Sequence, residues 1–109
     1  MNTDTMLAMK ADVYKAMGEP YRLSIMQLLH ERGELCVCEI IRELEAEQSN
    51  ISKHLSVLRN ANIVAMRKEG TKVFYKLTCP CLIDSDACLE RTLMKHMEKR
   101  FAALAGKER

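Results

Sequence analysis

The sequence predicts a mainly α-helical domain with one small β-hairpin, in the order α-α-α-α-β-β-α. Three observations carry this. Apolar residues recur at helical spacing through most of the 109 residues. Two β-rich runs, Ile63-Val64 to Met66 and Val73 to Leu77, flank a charged turn that contains Gly70. Helix punctuation, Gly18-Glu19-Pro20 and Gly33, falls where the periodic runs stop.

Met6, Met9, Val13 and Met17 keep helical spacing and define the first helix. Pro20 is placed to open the second, because its fixed φ suits a first turn and its missing amide is not needed there. Leu23, Ile25, Met26, Leu28 and Leu29 are its apolar residues, and Gly33 ends it. A third helix starts near Cys36 and carries Ile40, Ile41 and Leu44. After a short polar turn the fourth runs from about Gln48 to Asn60. Its Ile51, Leu55 and Leu58 lie on one face, leaving Gln48, Ser49, Ser52, Lys53 and Ser56 outward. Two short helices joined by a tight turn make a helix-turn-helix, and the hairpin after it makes a wing. The last helix carries Leu89, Leu93, Met97, Phe101 and Leu104 in one stripe.

The whole chain reads as one winged helix-turn-helix domain, 1–109, with the helix-turn-helix at 36–60 and the wing at 63–77. The helices at 1–17 and 82–105 are apolar on one face yet flank the reading unit. Pairing them across a two-fold axis would bury both stripes, so a homodimer is expected. No apolar run is long enough to span a membrane, and residues 1–10 do not read as a signal peptide, which together point to a cytoplasmic protein. No Cys-x-x-Cys in a βαβ setting, phosphate-binding glycine loop or assembled acid–base pair is present, so an enzyme is not expected.

Charge is unevenly spread. Residues 48–78 hold six basic residues against Glu69, a net of +5, while residues 31–47 carry a net of −4. A local basic surface is the footprint of a nucleic-acid reader. The five cysteines, in a cytoplasmic chain, point to metal binding or redox chemistry rather than a disulfide framework. Cys36 and Cys38 stand two apart. On an ideal helix they would face different ways, so a shared ligand demands a distorted first turn.

The order and spacing of these elements resemble the ArsR/SmtB family of metal-responsive repressors. Four segments carry the likeness: Lys15-Ala16-Met17-Gly18-Glu19-Pro20-Tyr21-Arg22-Leu23, Glu34-Leu35-Cys36-Val37-Cys38-Glu39, Gln48 to Leu58, and Arg67, Gly70, Val73, Tyr75 and Leu77. The resemblance implies a homodimeric repressor that binds an operator when empty and releases it on binding its ligand. Major-groove readout favours short polar or cationic side chains at the start of the recognition helix. Asn50, Lys53 and His54 are the candidates for base edges, with Gln48 close behind, and His54 is alternatively a packed, hydrogen-bonded histidine beside Leu55; Ser49 and Ser52 suit phosphate. Arg67, Lys68 and Lys72 of the wing are expected at the backbone or minor groove. A dimer would read an inverted repeat in double-stranded operator DNA.

Thiolates select soft and borderline ions such as As(III), Cd(II), Pb(II) and Zn(II). Two sulfurs are too few for trigonal As(III) or tetrahedral Zn(II) or Cd(II). The position where the arsenic-type pattern has a third cysteine is Ile41, and residues 1–35 hold none. Cys79 and Cys81, around the stiff Pro80, are the expected source of the missing ligand for Cys36 and Cys38, within the chain or across the dimer. Cys88 is expected to be a small buried residue, and Asp84 and Asp86 to be acids opening the last helix. A thiol redox or persulfide sensor of the same fold is the alternative, since a thiolate near a helix N-terminus would suit it. A constitutive DNA-binding protein with incidental cysteines is a third reading.

Overall fold

The computed structural model describes residues 2–107. Met1, Glu108 and Arg109, which the single-domain assignment includes, lie outside the described residues. The elements are α1 (Thr3–Met17), α2 (Pro20–Arg32), β1 (Leu35–Cys36), α3 (Val37–Leu44), α4 (Gln48–Asn60), β2 (Val64–Glu69), β3 (Lys72–Leu77), α5 (Cys81–Asp84) and α6 (Asp86–Lys107). α3 and α4 form the helix-turn-helix, and β2 and β3 form the hairpin that follows it.

Local chemistry sets the helix ends. The Asn2 side chain accepts from the Thr5 amide at 2.7 Å and caps α1. Glu19 does the same for α2, accepting from the Arg22 amide at 2.9 Å, with Pro20 at the first helical position. Gly33 closes α2 with φ +84°, and its amide donates to the Leu29 carbonyl.

Two elements were not expected. Leu35 and Cys36 form a short strand, paired antiparallel with Tyr75 and Phe74, so the sheet has three strands in the order β1-β3-β2. Two residues are too few to show alternation, which is why the pattern missed them. As a result α3 begins at Val37, and Cys36 precedes it in extended backbone (φ −77°, ψ 159°). The single last helix expected over 82–105 is instead two. Ile83 buries against the core and holds α5 beside α2, and the chain turns at Ser85 before α6 leaves.

The core gathers Ile25, Met26 and Leu29 of α2, Ile40 of α3, Ile51, Leu55 and Leu58 of α4, and Ile63 at the mouth of the hairpin. Thr78 ties the base of the hairpin, its hydroxyl donating to the Asn62 carbonyl at 2.6 Å. Along α6 the stripe Leu89, Leu93, Met97, Phe101 and Leu104 stays more than half exposed, as does Leu7 of α1. The radius of gyration, 17.7 Å, exceeds the roughly 13 Å of a compact chain of this length, because these terminal helices stand away from the core.

Gly33 offers a direct check. A Cβ there would meet no atom within 4 Å, so only the backbone conformation resists substitution. Gly33→Ala is expected to destabilise the protein by about 1–3 kcal/mol, read as a lower urea midpoint at unchanged slope. An unchanged midpoint would show that the left-handed turn does not cap α2.

Candidate nucleic-acid interface and its adjoining thiol cleft

On α4, Gln48, Ser49, Ser52 and Lys53 are exposed and Asn50 is half-buried. They crowd the first turn and a half, where amides also lack helical partners. Lys68 and Lys72 of the wing are exposed as well.

Of the two places open to it, a base edge or a packed position beside Leu55, His54 takes the packed one. It is 9% exposed, one of the four buried positions of α4 with Ile51, Leu55 and Leu58. That is an i, i+3, i+4, i+7 stripe, so its place on the inner face was readable from spacing alone. Its ring stacks on Tyr21, with centroids 5.3 Å apart and planes 11° from parallel. An Arg22 guanidinium nitrogen sits 3.3 Å from Nδ1. Arginine has no acceptor, so a hydrogen bond between the two runs from Arg22 to Nδ1. Glu19 is 3.8 Å from Nδ1, too far for a hydrogen bond, and its carboxylate is already taken by the Arg22 amide. Arg22 also donates through Nε to the Ala16 carbonyl at 2.6 Å. Sequence reasoning missed Tyr21 and Arg22 in this role. Together they tie the end of α1 and the start of α2 to the recognition helix.

Arg67 is already engaged within the protein. Its guanidinium donates to Glu34 (2.8 Å from Nε) and to Glu69 (2.8 Å from Nη1), and lies 4.5 Å over the Phe74 ring. The hydrogen bond from Arg67 holds the Glu34 carboxyl below the usual carboxylate range and pushes the arginine's own pKa up. Because the Glu34 pKa is depressed in the fold, this support is present at neutral pH and lost only as pH falls through that lowered value. Arg67 braces the wing against the loop before β1.

The first thiol pair sits beside this surface. Cys36 ends β1 in extended backbone and Cys38 is the second residue of α3. The strand-to-helix junction supplies the bend that an ideal helix lacks, and the two sulfurs meet in a disulfide, with Cα atoms 5.4 Å apart. No fraying of α3 is needed. Both cysteines line a cleft of about 450 Å³. Val37, Ile41, Met66, Val73 and Tyr75 contribute apolar wall, and Gln48, Ser52, Thr71 and Lys72 contribute polar wall. The cleft therefore joins the thiols to residues of both the recognition helix and the wing.

The second pair is elsewhere. The Cys79 and Cys81 sulfurs stand 2.6 Å apart on the surface, and the hydrogen bond with Cys79 pushes the Cys81 thiol up. Cys79 follows Phe74, the strand partner of Cys36, by five residues, roughly 15 Å of extended chain. The expectation that Cys79 or Cys81 joins Cys36 and Cys38 is not met within one chain. Among the described residues no group of three or more His, Cys, Asp or Glu side chains is placed to hold a metal ion. An ion on Cys36 and Cys38 would have two protein sulfurs. Cys88 is exposed rather than buried, with an Arg91 nitrogen 3.1 Å from its sulfur. Asp86 opens α6 as expected and accepts from Gln27 at 3.4 Å, whereas Asp84 closes α5, 3.6 Å from His30.

The family model described as a bacterial regulatory protein of the arsR family matches residues 19–65. An uncharacterised HTH-type transcriptional regulator of Mycobacterium tuberculosis is 30% identical over 104 residues, covering 95% of this chain and 91% of that protein. The chain belongs to the arsR family. Another uncharacterised HTH-type regulator, from Methanocaldococcus jannaschii, is 54% identical over 65 residues, 60% of this chain and 73% of that one. The arsenical resistance operon repressor of Escherichia coli is 41% identical over 66 residues, 61% of this chain and 56% of that one. The crystal structure of the M. tuberculosis regulator superposes with a TM-score of 0.72 at 31% identity, covering 92% and 98% of the two chains. A homodimeric winged helix-turn-helix DNA-binding domain from Mycobacterium bovis gives 0.73 at 27% identity, covering 88% of each. This arsR-family chain is therefore a winged helix-turn-helix transcriptional regulator, of a family without enzymatic activity.

The bracing of Arg67 separates it from its neighbours. Lys68→Ala or Lys72→Ala should each lower the slope of log affinity for DNA against log salt by about 1. Arg67→Ala should leave that slope nearly unchanged. A full unit lost with Arg67→Ala, in a salt titration followed by fluorescence anisotropy, would show that the guanidinium leaves Glu34 for phosphate.

Proposed function

We propose that this chain works in the cytoplasm as a homodimeric repressor, which leaves its operator when a thiophilic ligand closes on Cys36 and Cys38. The observation that carries the reading is the shared cleft: both thiols, Gln48 and Ser52 of the recognition helix, and Thr71 and Lys72 of the wing line one space. DNA contact runs through Gln48, Ser49, Asn50, Ser52, Lys53, Lys68 and Lys72, and three of these, Gln48, Ser52 and Lys72, are also walls of the cleft that holds the thiols. Ligand and DNA favour different arrangements of these walls, so each weakens the other by the same factor. The arsenical and cadmium resistance regulators among its relatives support a metal or metalloid as that ligand. With two sulfurs in reach, As(III), Cd(II), Pb(II) or Zn(II) would draw further ligands from outside this cleft. Cys79 and Cys81 of the partner subunit are the candidates.

Dimerisation is supported by the exposed apolar stripe of α6 and by the homodimeric M. bovis relative. Two recognition helices related by a two-fold axis read an inverted repeat, with half-sites about 34–36 Å apart.

A second reading is favoured by one observation, the Cys36–Cys38 disulfide. The same thiols then answer an oxidant rather than an ion. Titration of the reduced, DNA-bound protein separates the two. For a metal switch, As(III) or Cd(II) is expected to weaken operator binding about 5- to 150-fold at one ion per chain, and Cys36→Ser or Cys38→Ser to abolish the response. Release only with oxidant, reversed by dithiol reductant, selects the redox reading. Binding indifferent to ions and oxidant alike would sink the thiol switch.

The dimer has its own test. Leu93→Glu and Phe101→Glu place charges on the exposed α6 stripe without touching the core. Each should shift sedimentation toward the monomer and weaken operator binding together. A dimer untouched by either would place the interface elsewhere.

A further inference from the structure

The cleft beside Cys38 has room for more than an ion. Its volume, about 450 Å³, is in the range of sites for small organic molecules. One side is apolar, with Ile41, Val73 and Tyr75. The other offers Gln48 and Ser52 as hydrogen-bonding groups and Lys72 as the charged residue, the only one on its walls among the described residues. The amino ends of α3 and α4 border it through Cys38 and Gln48, which adds partial positive charge. The two sulfurs also differ in access: Cys36 is 2% exposed and Cys38 is open.

We propose that the cleft admits a low-molecular-weight disulfide bearing carboxylates, with Cys38 as the entry sulfur and Cys36 as the resolving one. This deepens the thiol-switch reading and rests on it. The Cys38 thiolate attacks one sulfur of the small disulfide. A Cys38–small-thiol disulfide forms, the original S–S bond breaks, and the first small thiolate leaves and takes a proton from water. The Cys36 thiolate then attacks the Cys38 sulfur, closes the Cys36–Cys38 disulfide and expels the second small thiolate. Two electrons pass from the protein to the small disulfide, which ends as two thiols. The order follows from burial, because a bulky reagent reaches Cys38 and not Cys36. The charge preference follows from Lys72. While the mixed disulfide stands, its organic part lies between the recognition helix and the wing.

The test uses the reduced full chain and three probes of different charge: oxidised glutathione (anionic), 2-hydroxyethyl disulfide (neutral) and cystamine (cationic). In Cys36→Ser the adduct cannot resolve, so peptide mass mapping locates it. The expected result is modification of Cys38 ahead of Cys79, Cys81 and Cys88. Lys72→Glu should slow oxidised glutathione about fivefold and leave the neutral probe unchanged, and Lys72→Gln should fall between. The unsubstituted chain should release two small thiols and retain no adduct at Cys38. Equal labelling of the exposed cysteines, or rates blind to probe charge and to Lys72, would overturn the proposal. Operator binding measured in parallel keeps the two readings apart. If Cys38 is the charge-selective entry sulfur yet oxidation leaves DNA binding intact, the site assignment stands and the switch reading falls.

Discussion

Leu35 and Cys36 pair with Tyr75 and Phe74 for only two residues, and much of the site depends on that pairing. It adds a third strand to the hairpin and so fixes the wing to the helical body. It also holds Cys36 in extended backbone up to the point where α3 begins. A side chain at the last extended residue and one at the second helical residue can meet, whereas positions i and i+2 within a helix cannot. The strand that anchors the wing is thus the element that lets two adjacent thiols share one partner. It places them within reach of Tyr75 and Met66 in the sheet and of Ser52 on the recognition helix.

A second link runs from the reader to the opposite end of the molecule. His54 is clasped by Tyr21 and Arg22, and Arg22 holds the last turn of α1 through the Ala16 carbonyl. A rotation of α4 would strip a buried ring of its stack and its hydrogen bond, so the helix is fixed in angle as well as in depth. Since α1 belongs to the apolar surface expected at the subunit contact, this clasp places the reader and that surface in mechanical contact.

The long periodic segments were legible because burial writes a period of 3.6 into them: α2 and α4 bury the apolar faces that the sequence implied, and α2 has the Pro20 start and Gly33 end. The wing was legible from its β-rich runs and Gly70. What escaped had short-range or mutual causes. The strand β1 exists only because β3 lies beside it, and two residues carry no period. The α5–α6 break depends on Ile83 finding the core while Ser85 turns the chain. Arg67 looked like a phosphate ligand because a basic residue on a wing has no visible partner in one dimension. Glu34, its partner, is 33 residues away. For His54 the sequence left a base edge and a packed place both open, and its spacing from Ile51 and Leu58 favoured the inner one. The separation of Cys79 and Cys81 from Cys36 and Cys38 could not be read from spacing, because it depends on which strand pairs with which.

The brace at Arg67 bears on how recognition is divided between enthalpy and entropy. A wing tied to the body through Arg67 and Glu34, and stiffened within itself by Glu69 and Phe74, is ordered before any nucleic acid arrives. Loops that must order on contact lose conformational freedom at that moment, which subtracts from the gross interaction. Here that loss is incurred during folding. The guanidinium between two carboxylates thus contributes rigidity, and the shape of the wing is settled by intramolecular chemistry ahead of any encounter.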